Sequence, residues 1–154
     1  MTQHTTTPRT TPHPTPDTVL ERRSSDSSHL TEPRVFLRVF TGPGTLEALT
    51  SSYERLLDTE RDLWFTYPEK QLALSAVGAF LLIEGTEEVL APFRATHGTL
   101  LVASVSPYLA RLEAEGAEIL VPVHRVPTGS GFTARHADGL TVEYVEHRPD
   151  EYGR

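Results

Sequence analysis

The chain reads as an α+β domain in which one sheet carries helices on one face. Two observations lead there. The order strand, helix, strand, strand, strand occurs twice, with about sixty residues in each copy, and a repeated supersecondary order constrains a fold more than any single motif. Only two stretches have clear helical periodicity; the other segments are short, alternating or apolar, and bounded by glycine, proline or aspartate turn residues. Strands interleaved with so few helices fit a sheet covered on one side.

Residues 1–33 stand apart from this pattern. They are crowded with threonine, proline and serine, and Val19, Leu20 and Leu30 are nearly their only large apolar side chains. Such a segment cannot bury enough surface to offset its ordering entropy, so a disordered tail is expected. Its histidines, His4, His13 and His29, are spaced too irregularly to suggest a metal site. Residues 34–148 form the expected folded domain, and residues 149–154 a polar C-terminal tail.

The first copy opens with a strand over residues 35–41. Gly42-Pro43-Gly44 is a loop, and Thr45 is a plausible N-cap for a helix carrying Leu46, Leu49, Tyr53, Leu56 and Leu57 at helical spacing. Residues 63–67, 72–76 and 79–84 follow as strands, separated by Pro68-Glu69-Lys70 and by Gly78. Residues 85–96 read as a connector pinned to the surface by Leu90, Pro92 and Phe93. The second copy begins with a strand over 97–103. Ser106 as N-cap and Pro107 at the first helical position open a helix with Leu109 and Leu112 on its apolar stripe, and Gly116 closes it. Residues 118–123, 131–136 and 140–146 complete the copy as strands.

Composition narrows the function classes. A formal net charge of -7 argues against a nucleic-acid partner, which would show a basic face. No cysteine is present, which excludes disulfides, thiolate metal sites and cysteine nucleophiles. The longest apolar run, Val77 to Ile83, falls far short of the ~20 residues of a spanning helix, so no membrane partner is expected. The start of the chain lacks the apolar stretch of a signal peptide, and a cytoplasmic location is the default expectation.

Glu143 is the first candidate for a site. Asp138-Gly139 is a tight-turn pair feeding the last strand, and alternation puts Thr141, Glu143 and Val145 on one face of it. A carboxylate among apolar residues on a core strand is costly unless something pairs with it. It can serve as a metal ligand, a general base, or half of an ion pair.

These features resemble the vicinal oxygen chelate superfamily, which includes glyoxalase I, extradiol dioxygenases, fosfomycin-resistance enzymes and bleomycin-binding resistance proteins. The resemblance rests on the doubled unit and on two local patterns. His97-Gly98-Thr99-Leu100-Leu101-Val102-Ala103-Ser104 is similar to the family's fifth strand, and Gly139-Leu140-Thr141-Val142-Glu143 to its last. Ala114-Glu115-Gly116-Ala117 is similar to the helix end before its sixth strand. The resemblance implies two β-α-β-β-β repeats forming curved sheets around a cup, with helices on the outer face.

In metal-dependent members the ligands lie on the first and last strands of each copy. Motif alignment puts Phe36, Leu82, His97 and Glu143 at those positions, so the second copy keeps a histidine and a carboxylate and the first keeps neither. A catalytic zinc usually has three protein ligands, and non-haem iron two histidines and a carboxylate. A shift of two residues in the fourth strand would bring Glu84 to the cup as a third ligand beside His97 and Glu143. Arg38, in phase with Phe36, also faces the cup on this alignment. It would repel a cation, pair with Glu143, or bind an acidic group.

The resemblance then implies a small organic molecule as partner, a homodimer as assembly, and either no cofactor or one divalent metal. The leading expectation is a glyoxalase-like binding protein of the sequestration or resistance type, with Arg38, Trp64, His97 and Glu143 against the ligand. A divalent-metal lyase, isomerase or dioxygenase using His97, Glu143 and Glu84 is the second. A metal-free isomerase or epimerase with Glu143 as base lies between them, and a closed, apolar, vestigial cup is the bland alternative. Phe65 and Tyr67 fall on the face opposite Trp64; at least two of the three aromatics are expected in the core. Pro127-Thr128-Gly129-Ser130-Gly131 reads as a mobile loop over the cup. His136 is expected to be exposed, His124 to approach the rim, and Leu37 to be buried under the helices.

Overall fold

The computed structural model describes residues 20–22 and 26–148. Among the described residues, nine strands run in the order β1-β3-β4-β5-β2-β6-β9-β8-β7. The first half supplies β1 (Leu20–Arg22), β2 (Arg34–Thr41), β3 (Leu63–Tyr67), β4 (Leu72–Val77) and β5 (Phe80–Glu84). The second supplies β6 (Gly98–Leu101), β7 (Glu118–Val126), β8 (Gly129–Arg135) and β9 (Thr141–His147). The two halves meet at an antiparallel β2–β6 pair, Phe36 opposite Thr99. Parallel pairs β2–β5 and β6–β9 flank that seam, so each half repeats the other's pairing. The expected α+β architecture of two repeats curled around a cup is the one observed.

Helices α1 (Leu46–Leu57) and α3 (Val105–Ala114) cover the outer face. Under α1, the Thr50 hydroxyl meets Ser75 Oγ at 2.8 Å, and Tyr53 packs on Phe80. Under α3, Val105, Phe132, Val142 and Tyr144 form one apolar cluster, with Phe132 and Tyr144 stacked. The other cluster fills the concave face with Phe36, Phe65, Leu74, Leu81, Leu101 and Val145. Residues 87–94, expected as part of a connector, form a third helix, α2 (Glu87–Arg94), capped by the Thr86 hydroxyl on Val89 N–H. Its Leu90 is fully buried in the concave cluster, so this helix closes over the cup instead of lying on the outer face.

Both outer helices start where a strand carboxylate receives them. Glu84 of β5 accepts from Thr45 and Leu46 N–H at 2.9 and 3.0 Å; Glu146 of β9 accepts from Val105 N–H at 3.0 Å. An anion there satisfies orphan donors and meets the positive helix end. Neither expected cap acts through its side chain as foreseen. Thr45 makes no side-chain cap bond, and α3 begins at Val105, ahead of Ser106, because Glu146 caps it there.

Other expectations also change. Leu37 is 55% exposed, because β2 lies at the sheet centre between the areas covered by α1 and α3. The folded part starts before residue 34. Leu20–Arg22 pairs with β3, and Ser27 is buried, exchanging main-chain and side-chain bonds with His147. Residues 1–19 and 23–25, in the rest of the expected tail, and residues 149–154 lie outside the described part.

Candidate functional site

The inward-facing residues of the curled sheet leave a cavity of about 80 Å³, bounded by β2 to β6, β9, α2 and the β7–β8 turn. Its wall is mostly apolar: Phe36, Phe65, Leu74, Leu81, Ile83 and Val145 all border it. Strand alternation sets this lining. Phe36 and Arg38 of β2, Thr99 of β6, and Glu143, Val145 and His147 of β9 point the same way.

Three polar side chains from three strands form one network in that wall. Arg38 Nε donates to Thr99 Oγ1 at 3.0 Å, and Arg38 Nη1 donates to the Phe93 carbonyl of α2 at 3.0 Å. Thr99 Oγ1 in turn donates to Glu143 Oε1 at 3.3 Å. Arg38 Nη2 lies 3.5 Å from the same carboxylate oxygen; the side chains are 5% and 28% exposed. Burial draws Arg38 below the ordinary arginine range, and the charge of Glu143 draws it back. The sequence left Glu143 three roles, and the geometry gives it one at once, as the counter-charge of Arg38. Its second oxygen, Oε2, has no partner among the described residues. Tyr67, also in the cavity wall, has its hydroxyl held above the ordinary value, first by burial, then by the charges of Glu69 and Glu143.

The other expected site residues separate from this centre. His97 is exposed just ahead of β6, where its Nδ1 accepts from Thr141 N–H at 3.0 Å, and it does not line the cavity. Glu84 is a correction: its carboxylate caps α1 on the opposite face of β5 from Leu81 and Ile83, so it cannot join Glu143. Trp64 is another. It pairs in register with Ser75, whose side chain faces α1, and Arg61 lies over its ring; Phe65 and Tyr67 border the cup in its place.

Leu82 is misplaced by one residue. Aligning Gly78 with Gly139 ignores the different turns, two residues between paired Val77 and Phe80 against five between paired Arg135 and Thr141. The capping carboxylates align the halves better: if Glu84 corresponds to Glu146, Leu81 corresponds to Glu143. Phe36 does line the cup, as aligned.

Among the described residues, no three His, Asp or Glu side chains are arranged to hold a metal. The donor set points the same way. A buried guanidinium stands beside Glu143, and one face of His97 is taken by a backbone N–H. Glu143 is the one carboxylate among the described residues that line the cup, and Arg38 stands beside it.

Pro127 and Thr128 form the turn between β7 and β8, and this tip is part of the cavity wall, with Thr128 buried. His136 is partly buried and bonded to Tyr144 Oη at 2.7 Å, while His124, on β7, meets the Pro122 carbonyl and does not border the cavity. Sequence reasoning missed Thr99, Phe93 and His147 as cavity residues. Extending the alternation by one step from Glu143 and Val145 reaches His147; Thr86 followed by Glu87 and Glu88 is a helix-start signal that would have placed α2.

No protein-family model and no curated protein sequence matches the chain. Solved structures do. An uncharacterized protein from Methanosarcina mazei is 39% identical over 75% of this chain and 92% of its own, with a TM-score of 0.67. Methylmalonyl-CoA epimerase from Mycobacterium tuberculosis is 17% identical over 82% of this chain and 99% of its own, with a TM-score of 0.56. The Streptomyces coelicolor methylmalonyl-CoA epimerase in complex with 2-nitronate-propionyl-CoA is 16% identical over 73% and 94%, with a TM-score of 0.54. The epimerases belong to the vicinal oxygen chelate superfamily, and at these identities the likeness is one of fold. Among the described residues no helix is long and apolar enough to cross a membrane.

Proposed function

Because the chain belongs to one family with the uncharacterized Methanosarcina mazei protein and carries the vicinal oxygen chelate fold, we propose that it binds a small organic molecule in its cup without a metal. The ligand has a compact apolar body and one hydrogen-bond-donating group, such as an amine or a hydroxyl. The observation that carries this reading is the Arg38–Thr99–Glu143 network. It spends Oε1 on the protein and leaves Oε2 at the edge of an apolar cavity. Arg38 lies beside Glu143 as its counter-charge, and a carboxylate offers a ligand only acceptor oxygens. Ligand sites typically combine an apolar lining with a few fixed polar groups.

The test is a thermal-shift screen of small amines, alcohols and amides against the native protein and Glu143→Gln. Donor-bearing compounds raise the midpoint of the native protein, and the gain disappears in the variant. An equal gain in Glu143→Gln overturns the anchoring role.

A second reading rests on the same oxygen. A carboxylate with one oxygen beside apolar walls can take a proton from a carbon next to a carbonyl. The electron pair would move to the carbonyl oxygen as an enolate, and the same carboxyl would return the proton, which is racemase or epimerase chemistry. The fold likeness to epimerases that act on acyl-CoA compounds makes acyl-CoA thioesters the first substrates to try. Solvent deuterium appearing at the α-carbon of such a thioester with the native protein, and not with Glu143→Gln, supports this reading over simple sequestration.

A further inference from the structure

Two hollows meet at one side chain. The cup cavity holds about 80 Å³; a second, of about 110 Å³, lies between residues 26–30 and strands β2, β6 and β9. Of the residues described, His147 is the only one bordering both. It is the last residue of β9 and the third on the inward face after Glu143 and Val145, and it is 8% exposed.

Its main chain is fixed on both sides. The N–H donates to Ser27 Oγ at 2.9 Å, the carbonyl accepts from Ser27 N–H at 3.2 Å, and Gly129 stands opposite it on β8. The backbone of His147 is therefore held in place where the two spaces meet. The spaces on its two sides differ in kind. The cup is mostly apolar, with Arg38, Thr99 and Glu143 as its polar centre, whereas the second hollow presents Asp26, His29 and the Arg34–Asp62 pair, joined at 2.9 Å.

We propose that His147 is a specificity-determining residue that sets the length of the ligand. This rests on the reading in which a donor group meets Glu143. From that anchor the ligand body runs along β9 past Val145. Four residues of strand span about 13 Å between backbone positions, so the ring of His147 closes the cup within reach of a short chain. Without the ring, the cup and the polar hollow join, and a longer molecule with a polar far end fits across both.

The test uses primary n-alkylamines of increasing length, measured by calorimetric titration against the native protein, His147→Ala and His147→Gln. Below the limiting length each methylene tightens binding to the native protein by about fourfold, the value expected for one buried CH₂. Past that length binding is lost. His147→Ala accepts longer chains than the native limit. Amino alcohols of those lengths bind it more tightly than the plain amines, while His147→Gln keeps the native limit.

An unchanged limit in folded His147→Ala overturns the proposal. If no amine binds the native protein, the donor-bearing ligand is what fails. The wall is then read from a crystal structure of His147→Ala: one continuous space supports it, and two separate hollows overturn it. His147→Ser serves in both measurements if the alanine variant does not fold.

Discussion

Arg38 and Glu143 are unequal partners, because the guanidinium is almost out of solvent while the carboxylate is partly exposed. Glu143→Gln therefore strands a buried charge, and the expected loss is about 1.5–3 kcal/mol, the range for a hydrogen bond to a charged group. Replacing both partners at once, as Arg38→Met with Glu143→Leu, removes the charge and its counter-charge together and restores most of that loss. Urea denaturation of the two variants checks the order; a double variant weaker than Glu143→Gln would refute it. Tyr67 adds a pH dependence at the same spot. Its hydroxyl is held above the unfolded value of 10.0 by burial and then by Glu69 and Glu143. A raised value favours the protonated form in the folded state. Its contribution is intact below pH 10 and is lost as pH rises through the folded value. Tyr144 behaves alike, through burial and then Tyr108. Stability should fall above about pH 10, less steeply in Tyr67→Phe, and Tyr67 should titrate lower in Glu143→Gln; alkaline difference spectra of the phenolate measure both.

At the level of elements, caps and turns decide what could be read from the chain. Alternation put Glu143, Arg38 and Phe36 on the inward face because it needs only local information. The faces of Leu82 and Glu84 were lost because a turn's length is set by pairing across the sheet, and one residue of slip moves every side chain to the other face. Ser106 and Pro107 looked like a helix start by local rules, yet Glu146 reaches from β9 and starts the helix earlier. Such a tertiary cap has no local signature. Glu84→Gln should cost about 1 kcal/mol by weakening the start of α1, and leave ligand affinity unchanged. Calorimetric unfolding and a binding titration separate the two; a lost affinity would return Glu84 to the site. The β8–β9 pair is less forgiving. A Cβ at Gly129 would run into the Glu146 carbonyl oxygen, a backbone atom that cannot move aside cheaply. Gly129→Ala should cost at least about 3 kcal/mol, the upper end of overpacking losses, and should open the wall formed by the Pro127–Thr128 turn.

Across the whole molecule, two halves of one design have diverged in chemistry while keeping their geometry. Each half pairs a parallel strand couple at the seam and starts its outer helix on a strand carboxylate. The repeat was therefore legible from turn signals and periodicity, which both halves share. Their inward residues are not shared. Where β9 presents Glu143, β5 presents Leu81, and where β6 presents Thr99, β2 presents Arg38. The first half offers the cup a guanidinium and mostly apolar side chains. Among the described residues, the one carboxylate lining the cup already has Arg38 beside it. An ion bound at a hundred times its Kd would add about 2.7 kcal/mol and raise the midpoint by roughly 10 °C for a domain of this size. We expect zinc, nickel, manganese and ferrous iron, each added in excess, and EDTA treatment alike, to leave the unfolding midpoint in place. A rise of that order that vanishes in Glu143→Gln would put a metal in the cup. It would also require Arg38 to swing away from the carboxylate, breaking its bonds to Thr99 and the Phe93 carbonyl.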